Sequence, residues 1–299
     1  MKRCIGSFLI LAFLLSSCRP AVRQIPSLPR ILAAESFLAD IARNVAGGRM
    51  AVESLIPVDV DPHAYQPSPQ DAAKIANADV LIINGANLEA FIAPLLQNAG
   101  GKQQIISASA GLKARPDPSG QPSEGDPHFW LDPNNVLIYV ENIRDGFSKA
   151  DPAGTPVFVA NARKYSSELL TLDAWIKLQV QSVPQAHRLL VTNHETFGYF
   201  TERYGFTVIG AIVPSITSGA APSAQELAAL INQIRSSGAP AIFLEKGTNP
   251  QLADQISSET GVKVVTNLYT HSLSTLGGPA ATYIDMMKYD VTAIVEALK

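Results

Sequence analysis

Apolar residues at helical spacing mark a long segment near the middle of the chain. Between Thr155 and Val183 they recur at steps of three or four residues, which lays a single apolar stripe along a helix. The stripe comprises Phe158, Ala162, Tyr165, Leu169, Leu172, Ile176 and Val180. Thr155 can cap the start, Pro156 suits the first helical position, and Pro184 ends the helix. At 1.5 Å per residue the helix is about 40 Å long, which suits a rigid connection between two bodies.

The apolar pattern on both sides of this helix alternates between short strands and amphipathic helices. Before it, we predict strands at Ile31–Ala34, Val52–Val58 and Val80–Asn84, and helices at Ser36–Val45, Ser68–Asn77 and Leu88–Gln97. After it, we predict strands at Arg188–Thr192, Phe206–Ile212, Ala241–Leu244 and Val262–Val265, and helices at Thr196–Tyr204, Ser223–Ser236 and Asn249–Thr260. The alternation predicts an α/β protein with two lobes, residues 30–152 and 185–299, joined by a linking helix over residues 153–184.

The first 29 residues belong to neither lobe. Residues 1–17 combine Lys2 and Arg3 with a short apolar run, which is typical of a secretory signal peptide. The run ends in Leu-Ser-Ser-Cys, which resembles the bacterial lipobox, so we predict that Cys18 is lipidated and begins the mature chain. Residues 18–29 are rich in proline and form the predicted tether. The alternative is an ordinary signal peptide in which Cys18 has no special role.

Composition limits the disulfides, metal ligands and binding partners that the mature chain can have. With 46% hydrophobic and 16% charged residues, 299 residues can bury one or two cores. Only Cys4 and Cys18 are present and Cys4 leaves with the signal peptide, so we expect no internal disulfide, and any metal must be held by nitrogen and oxygen. Removing residues 1–17 deletes two bases and no acid, which changes 23 bases against 26 acids to 21 against 26, a net charge of about −5. We therefore expect no nucleic-acid partner.

Four of the five histidines lie in polar or turn-rich loops near the ends of predicted strands, two in each lobe. These are His63, His128, His194 and His271, whereas His187 is expected to be solvated. In open α/β sheets ligands bind at the carboxyl ends of the strands, which favours a site shared by these four residues. A lone histidine in a loop, such as His63, is usually a solvated side chain. His128 alone could equally lie on a surface loop held in place by a buried Trp130.

Several segments, in a fixed order along the mature chain, carry a family resemblance. They are Asp61-Pro62-His63 with Tyr65 and Pro67, Ala78-Asp79-Val80 through Asn84-Gly85 to Leu88-Glu89, His128 to Pro133, and His194 through Phe197, Tyr199-Phe200 and Tyr204-Gly205. The chain resembles the cluster A-I substrate-binding proteins, the zinc- and manganese-binding lipoproteins that feed ABC transporters. The resemblance implies two lobes, each a four-stranded mainly parallel sheet flanked by helices, joined by one rigid helix. It also implies a monomeric, lipid-anchored, extracytoplasmic protein, in the periplasm or at the cell surface, whose partner is a membrane permease.

The resemblance also implies a ligand set for the metal. The first three metal ligands of the family correspond to His63, His128 and His194 of this chain. The fourth ligand, usually Asp in the family, corresponds to His271. An all-nitrogen shell favours Zn²⁺, with Mn²⁺ as the alternative within the family. The charge of the ion would be offset by nearby groups such as Glu195 or Glu245. In a rival arrangement, water or a carboxylate takes the fourth position and His271 acts as a gate.

Two other classes of function compete with metal transport. A zinc hydrolase needs an open coordination position and a general base, for which Glu195 or Glu245 could be proposed. Four imidazoles would instead close the shell, and the chain has no HExxH motif, so we expect no enzyme. A surface adhesin or structural lipoprotein could coexist with transport, and only partner binding would separate the two. The loop Lys113–Asp126 contains no histidine, which argues against a metal-scavenging role for it.

Overall fold

The computed structural model of the chain describes residues 28–117, 125–219 and 221–299. The predicted signal peptide and Cys18 lie outside the described residues, so lipidation stays a prediction. None of the helices in these three ranges combines the length and the apolar character that crossing a membrane requires.

The described residues form two parallel sheets of four strands each. The strands are Ile31–Ala33 (β1), Val52–Ser54 (β2), Val80–Ile83 (β3), Gln104–Ser107 (β4), Leu189–His194 (β5), Thr207–Val213 (β6), Ala241–Glu245 (β7) and Lys263–Leu268 (β8). The first sheet has the order β2-β1-β3-β4 and the second β6-β5-β7-β8, and all neighbours are parallel. Both lobes therefore share one topology, and the predicted fold class is confirmed. In each sheet the carboxyl ends of the strands meet at one edge, where a ligand can be held.

The helices between and beyond these strands include two that the sequence pattern did not predict. The helices are Ser36–Ala46 (α1), Pro69–Asn77 (α2), Ile92–Asn98 (α3), Pro133–Ala150 (α4), Thr155–Val180 (α5), Gly198–Tyr204 (α6), Ala224–Ser237 (α7), Gln251–Thr260 (α8) and Tyr283–Leu298 (α9). No prediction was made for α4, α9 or strand β4. Local signals for both helices exist: the Asp132 carboxylate accepts from Asn134 N at 2.9 Å with Pro133 at the first position, and Thr282 caps α9.

Strand β2 ends earlier than the predicted Val58. Leu55 N and Ile56 N still donate to carbonyls that extend β1, at 2.8 and 2.9 Å, so the chain follows its neighbour for two residues beyond Ser54. Pro57 then has no N–H to donate, and the pairing stops. The chain turns away into the loop that carries His63.

The linking helix α5 buries the predicted stripe, from Phe158 to Val180. It ends three residues before Val183, and its N-cap position is Gly154 rather than Thr155. A side chain at position 154 would place Cβ 2.6 Å from Phe158 Cζ, so glycine is required there for close packing. Helix α5 packs along α1 and α4 of the first lobe and α9 of the second. It is thus an embedded part of the core as well as a connection.

One hydrophobic core runs through both halves of the chain. It extends from Ile31 to Leu298 and is built largely from α1, α4, α5 and α9 with the inner faces of the sheets. Two smaller clusters cover the outer faces, one in each lobe. The C-terminal helix joins the halves directly, because Tyr283 Oη donates to Trp130 O at 2.6 Å and Tyr283 N donates to Asp40 Oδ2 at 2.9 Å. This shared core fixes the relative position of the two carboxyl edges.

Candidate metal centre

The four predicted histidines meet between the two sheets. His63 lies in the loop after β2, His194 is the last residue of β5, and His271 lies in the loop after β8. His128 comes directly before a 3-10 turn, Phe129–Leu131, that leads into α4. One nitrogen from each ring lies within 4.8 Å of one nitrogen from every other ring. Three of the rings are buried and His63 is half-buried.

The rings are arranged as the corners of a nearly regular tetrahedron. Nε2 of His128 lies 3.1 Å from Nε2 of His63 and 3.1 Å from Nε2 of His271. The six distances between ring centres all fall between 5.0 and 5.4 Å. With Zn–N bonds of about 2.0 to 2.1 Å, and ring centres about 1 Å farther out, a tetrahedral ion places ring centres about 5 Å apart. The arrangement therefore fits one four-coordinate ion.

Trp130 fixes the segment that carries His128. Its side chain is fully buried, stacks on Phe37 with ring centres 4.5 Å apart, and donates from Nε1 to Thr270 O at 2.7 Å. Thr270 precedes His271, so this bond joins the segments of two predicted ligands from different lobes. The buried Trp130 and the inward position of His128 therefore occur together, although the sequence offered them as alternatives.

Glu245, at the end of β7, lies behind two of the imidazoles. Its Oε1 is 3.2 Å from Nδ1 of His194 and its Oε2 is 3.6 Å from Nδ1 of His271. The first contact has ion-pair distance but is not aligned as a hydrogen bond. The Thr270 hydroxyl is 2.7 Å from Nδ1 of His271 and also hydrogen bonds to Glu245. The carboxylate thus faces the Nδ1 side of both rings and leaves their Nε2 atoms directed at the centre.

Glu195, the other acidic neighbour predicted from the sequence, is placed differently. Its backbone N donates to Ser215 O at 2.9 Å, and its half-buried side chain lines a groove beside Asp126 and Arg115. Within the described ranges no ion pair joins Glu195 to any of the four imidazoles. Burial raises the pKa of its carboxyl.

The carboxylate that does contact His128 is Asp126, which the sequence analysis did not single out. Asp126 Oδ1 lies 2.7 Å from Nδ1 of His128 and also accepts from His128 N at 3.0 Å. The signal available was the spacing Asp-Pro-His, which lets a carboxylate fold back onto the ring two residues later. Burial raises the pKa of Asp126 to about 7, and a divalent cation at the centre would favour its ionised form.

Burial also sets the charge of the imidazoles. It lowers the pKa of His63 to about 4 and, with repulsion from neighbouring rings, lowers the pKa of His128 and His271 well below the usual value. Burial acts the same way on His194, but attraction by Glu245 outweighs it and raises the pKa of that ring. Burial opposes ionisation of Glu245 as well, yet His194 and His271 lower its pKa to about 2. Three rings are therefore neutral at pH 7, the form that binds a metal.

The fifth histidine lies apart from this cluster. His187 is exposed on a 3-10 turn, and its Nδ1 is 3.1 Å from Leu298 O. The exposed position of His187 agrees with the prediction that its side chain is solvated.

Comparison with known proteins assigns the family. The family model described as zinc-uptake complex component A, periplasmic, matches residues 31–297. The chain belongs to this family. It is therefore a metal-binding component of an uptake system and not an enzyme, and the resemblance drawn from the sequence motifs is confirmed.

Individual members of the family differ in the metal that their names give. The manganese-binding lipoprotein MntA of Halalkalibacterium halodurans is 34% identical over 270 residues, covering 90% of this chain and 88% of that protein. A solved Mn-bound periplasmic metal-binding protein from Candidatus Liberibacter asiaticus is 31% identical, with a TM-score of 0.82 over 91% of this chain and 100% of that one. The periplasmic zinc-binding protein TroA of Treponema pallidum is 27% identical, with a TM-score of 0.82 over 91% and 99%.

Proposed function

We propose that this protein captures one Zn²⁺ between its lobes, bound by His63, His128, His194 and His271, and delivers it to the permease of an ABC transporter. The observation that carries the proposal is the set of six nearly equal distances between ring centres. A closed tetrahedron of nitrogens is the coordination that Zn²⁺ adopts when protein side chains supply all ligands.

The chemistry of the donors favours zinc over manganese. Mn²⁺ is a harder ion that prefers carboxylate, carbonyl and water oxygens and more than four ligands. Here Glu245 faces the Nδ1 atoms of His194 and His271, so it lies behind the rings rather than among the ligands. Zn²⁺ also lies above Mn²⁺ in the order of affinity of divalent ions for nitrogen sites.

A manganese receptor is the second candidate, because relatives named for manganese match most of the chain. In this alternative, the four rings would bind Mn²⁺ with water completing the shell. The half-buried position of His63 leaves room on one side of the centre, which is the feature that favours this reading. The two candidates predict different metal contents and different coordination numbers.

Attachment to a membrane completes the proposed role. Relatives that match 90% or more of the chain are named as lipoproteins of metal ABC transporters. We propose that residues 1–17 are removed, that Cys18 is lipidated, and that residues 18–29 tether the two-lobed body to an extracytoplasmic membrane surface. A tether of this length holds the receptor near its permease.

The test is the metal content of the protein purified without added metal, followed by competition between Zn²⁺ and Mn²⁺. We expect one zinc per chain, X-ray absorption distances of about 2.0 to 2.1 Å to four nitrogens, and no displacement by excess manganese. The double variant His63→Ala/His194→Ala should bind no zinc, whereas His187→Ala should bind as the wild type does. Manganese as the native metal, with a six-coordinate oxygen-rich shell, would contradict the proposal.

A further inference from the structure

Asp126 connects the metal centre to the opposite lobe. Its side chain contacts His128 in its own lobe, while its backbone carbonyl accepts from Tyr199 Oη, on α6 of the second lobe, at 2.7 Å. Its N–H donates to Arg115 O at 2.8 Å, and the Arg115 guanidinium lies 4.0 Å from its Oδ2. Asp126 is 3% exposed. Contacts from both lobes therefore hold its backbone, and His128 and Arg115 contact its carboxylate.

The neighbouring residues leave space for this carboxylate. A side chain at Gly198, the first residue of α6, would place Cβ 2.7 Å from Asp126 Oδ2. Tyr199 Oη is also the acceptor for Arg115 N, at 2.9 Å, so the hydroxyl both donates and accepts. The second lobe thus shapes the position of a first-lobe carboxylate.

The ring that Asp126 contacts lies close to two of the other three rings. Nε2 of His128 is 3.1 Å from the Nε2 atoms of both His63 and His271. An imidazole binds a metal through a nitrogen that carries no proton, so the proton of His128 must lie on Nδ1 for Nε2 to bind. A carboxylate 2.7 Å from Nδ1 accepts that proton in a hydrogen bond and so selects this tautomer.

We propose that Asp126 is a positioning residue of the metal centre. It fixes the Nδ1–H tautomer of His128, and together with Glu245 it supplies two buried negative charges beside a shell of four neutral imidazoles. Two carboxylates balance the charge of one divalent cation. The centre therefore selects metal ions by their charge as well as by their affinity for nitrogen ligands. The inference rests on the proposed capture of a divalent metal.

Asp126→Asn tests the proposal, because it keeps the shape of the side chain and removes its charge. Asp132→Asn is the matched control: the substitution is the same, Asp132 also precedes a proline in the same segment, and Asn serves equally well as a helix cap. We expect Asp126→Asn to weaken Zn²⁺ binding by about 10- to 100-fold, and Asp132→Asn to change it by less than about threefold. Equal affinity of the two variants would overturn the proposal.

A second measurement separates positioning from general support of the fold. In the Zn²⁺-loaded wild type, ¹⁵N NMR of labelled histidines should show His128 bound through Nε2 with a slowly exchanging Nδ1–H, and this signal should shift and exchange faster in Asp126→Asn. Coordination of His128 through Nδ1 would overturn the proposal, even if the variant failed to fold. A wild type that binds no zinc at these four rings would overturn the proposed function together with this inference, whereas a zinc-binding wild type matched by Asp126→Asn would overturn this inference alone.

Discussion

Replacing His271 by alanine tests the residue at which this chain departs from the pattern of its family. The ring is 6% exposed, and its Nε2 lies 3.1 Å from that of His128, so alanine removes one of four candidate donors from an enclosed centre. Zinc binding by four protein ligands is worth about 10 to 16 kcal/mol, or about 2.5 to 4 kcal/mol per ligand when divided evenly. At 1.4 kcal/mol per tenfold, the affinity falls by about 60- to 700-fold, and a water that enters the vacated position reduces this loss. We expect a loss of at least about tenfold.

The assay is competition for Zn²⁺ against a chromophoric chelator at neutral pH. His63→Ala should lose a comparable amount, because all four rings are equivalent corners of one tetrahedron. His187→Ala is the control, since that ring is exposed and far from the cluster. His271→Asp should recover part of the affinity and raise the preference for Mn²⁺ relative to Zn²⁺, because carboxylate oxygen suits the harder ion. An affinity of His271→Ala within about threefold of the wild type would refute the four-nitrogen shell and leave His271 as a gate.

Three further predictions concern anchoring, pH and the contact between lobes. Cys18→Ala should release the protein from membranes, whereas an unmodified Cys18 in native membrane fractions, shown by mass spectrometry, would contradict lipidation. Burial and the neighbouring Glu89 raise the pKa of Glu35 well above its ordinary value, so the free energy of unfolding of the metal-free protein should fall as pH rises above about 4.3. In urea titrations, Glu35→Gln should make this pH dependence shallower. If the variant and the wild type show the same pH dependence, Glu35 is not its source. Lys246 Nζ lies 2.7 Å from Asp59 Oδ1, in the loop that carries His63. Lys246→Ala should therefore raise the rate of metal dissociation about two- to fivefold in stopped-flow measurements. An unchanged rate would show that this partly exposed pair does not hold the loop.

Local patterns predicted the alternation of strands and helices and the linking helix, whereas the two four-stranded parallel sheets were implied by the family resemblance. The apolar stripe of α5 has a single period over 26 residues, and every residue of the stripe is buried, together with Asp173 beside it. Helices with clear caps, such as α7 after Ser223, were also predicted to within a residue. Helix α4 was missed because Asp132-Pro133 resembles a turn when read alone, although the same pair can start a helix.

The centre was less predictable than the fold. The four rings stood out because histidines are few and lie near strand ends, yet which atoms face the centre depends on contacts between distant residues. Asp126 and Glu195 are each adjacent or nearly adjacent to a candidate ligand, but only Asp126 folds back onto its ring. Glu245 reaches two rings because β7 lies beside both β5 and β8 in the sheet. Sheet order of this kind is a tertiary property that spacing along the chain does not encode.

The position of the C-terminal helix also has a consequence for biogenesis. Tyr283, at the start of α9, is bonded to Asp40 in α1, 243 positions earlier in the chain, and α9 packs on α1 and α5. The first lobe therefore cannot complete its core until α9, far along the chain, has been synthesised. Contacts between residues so far apart in the sequence slow folding. This delay suits a protein that must pass through a membrane unfolded, as the proposed signal peptide requires, and it makes the docking of α9 the step that completes the shared core.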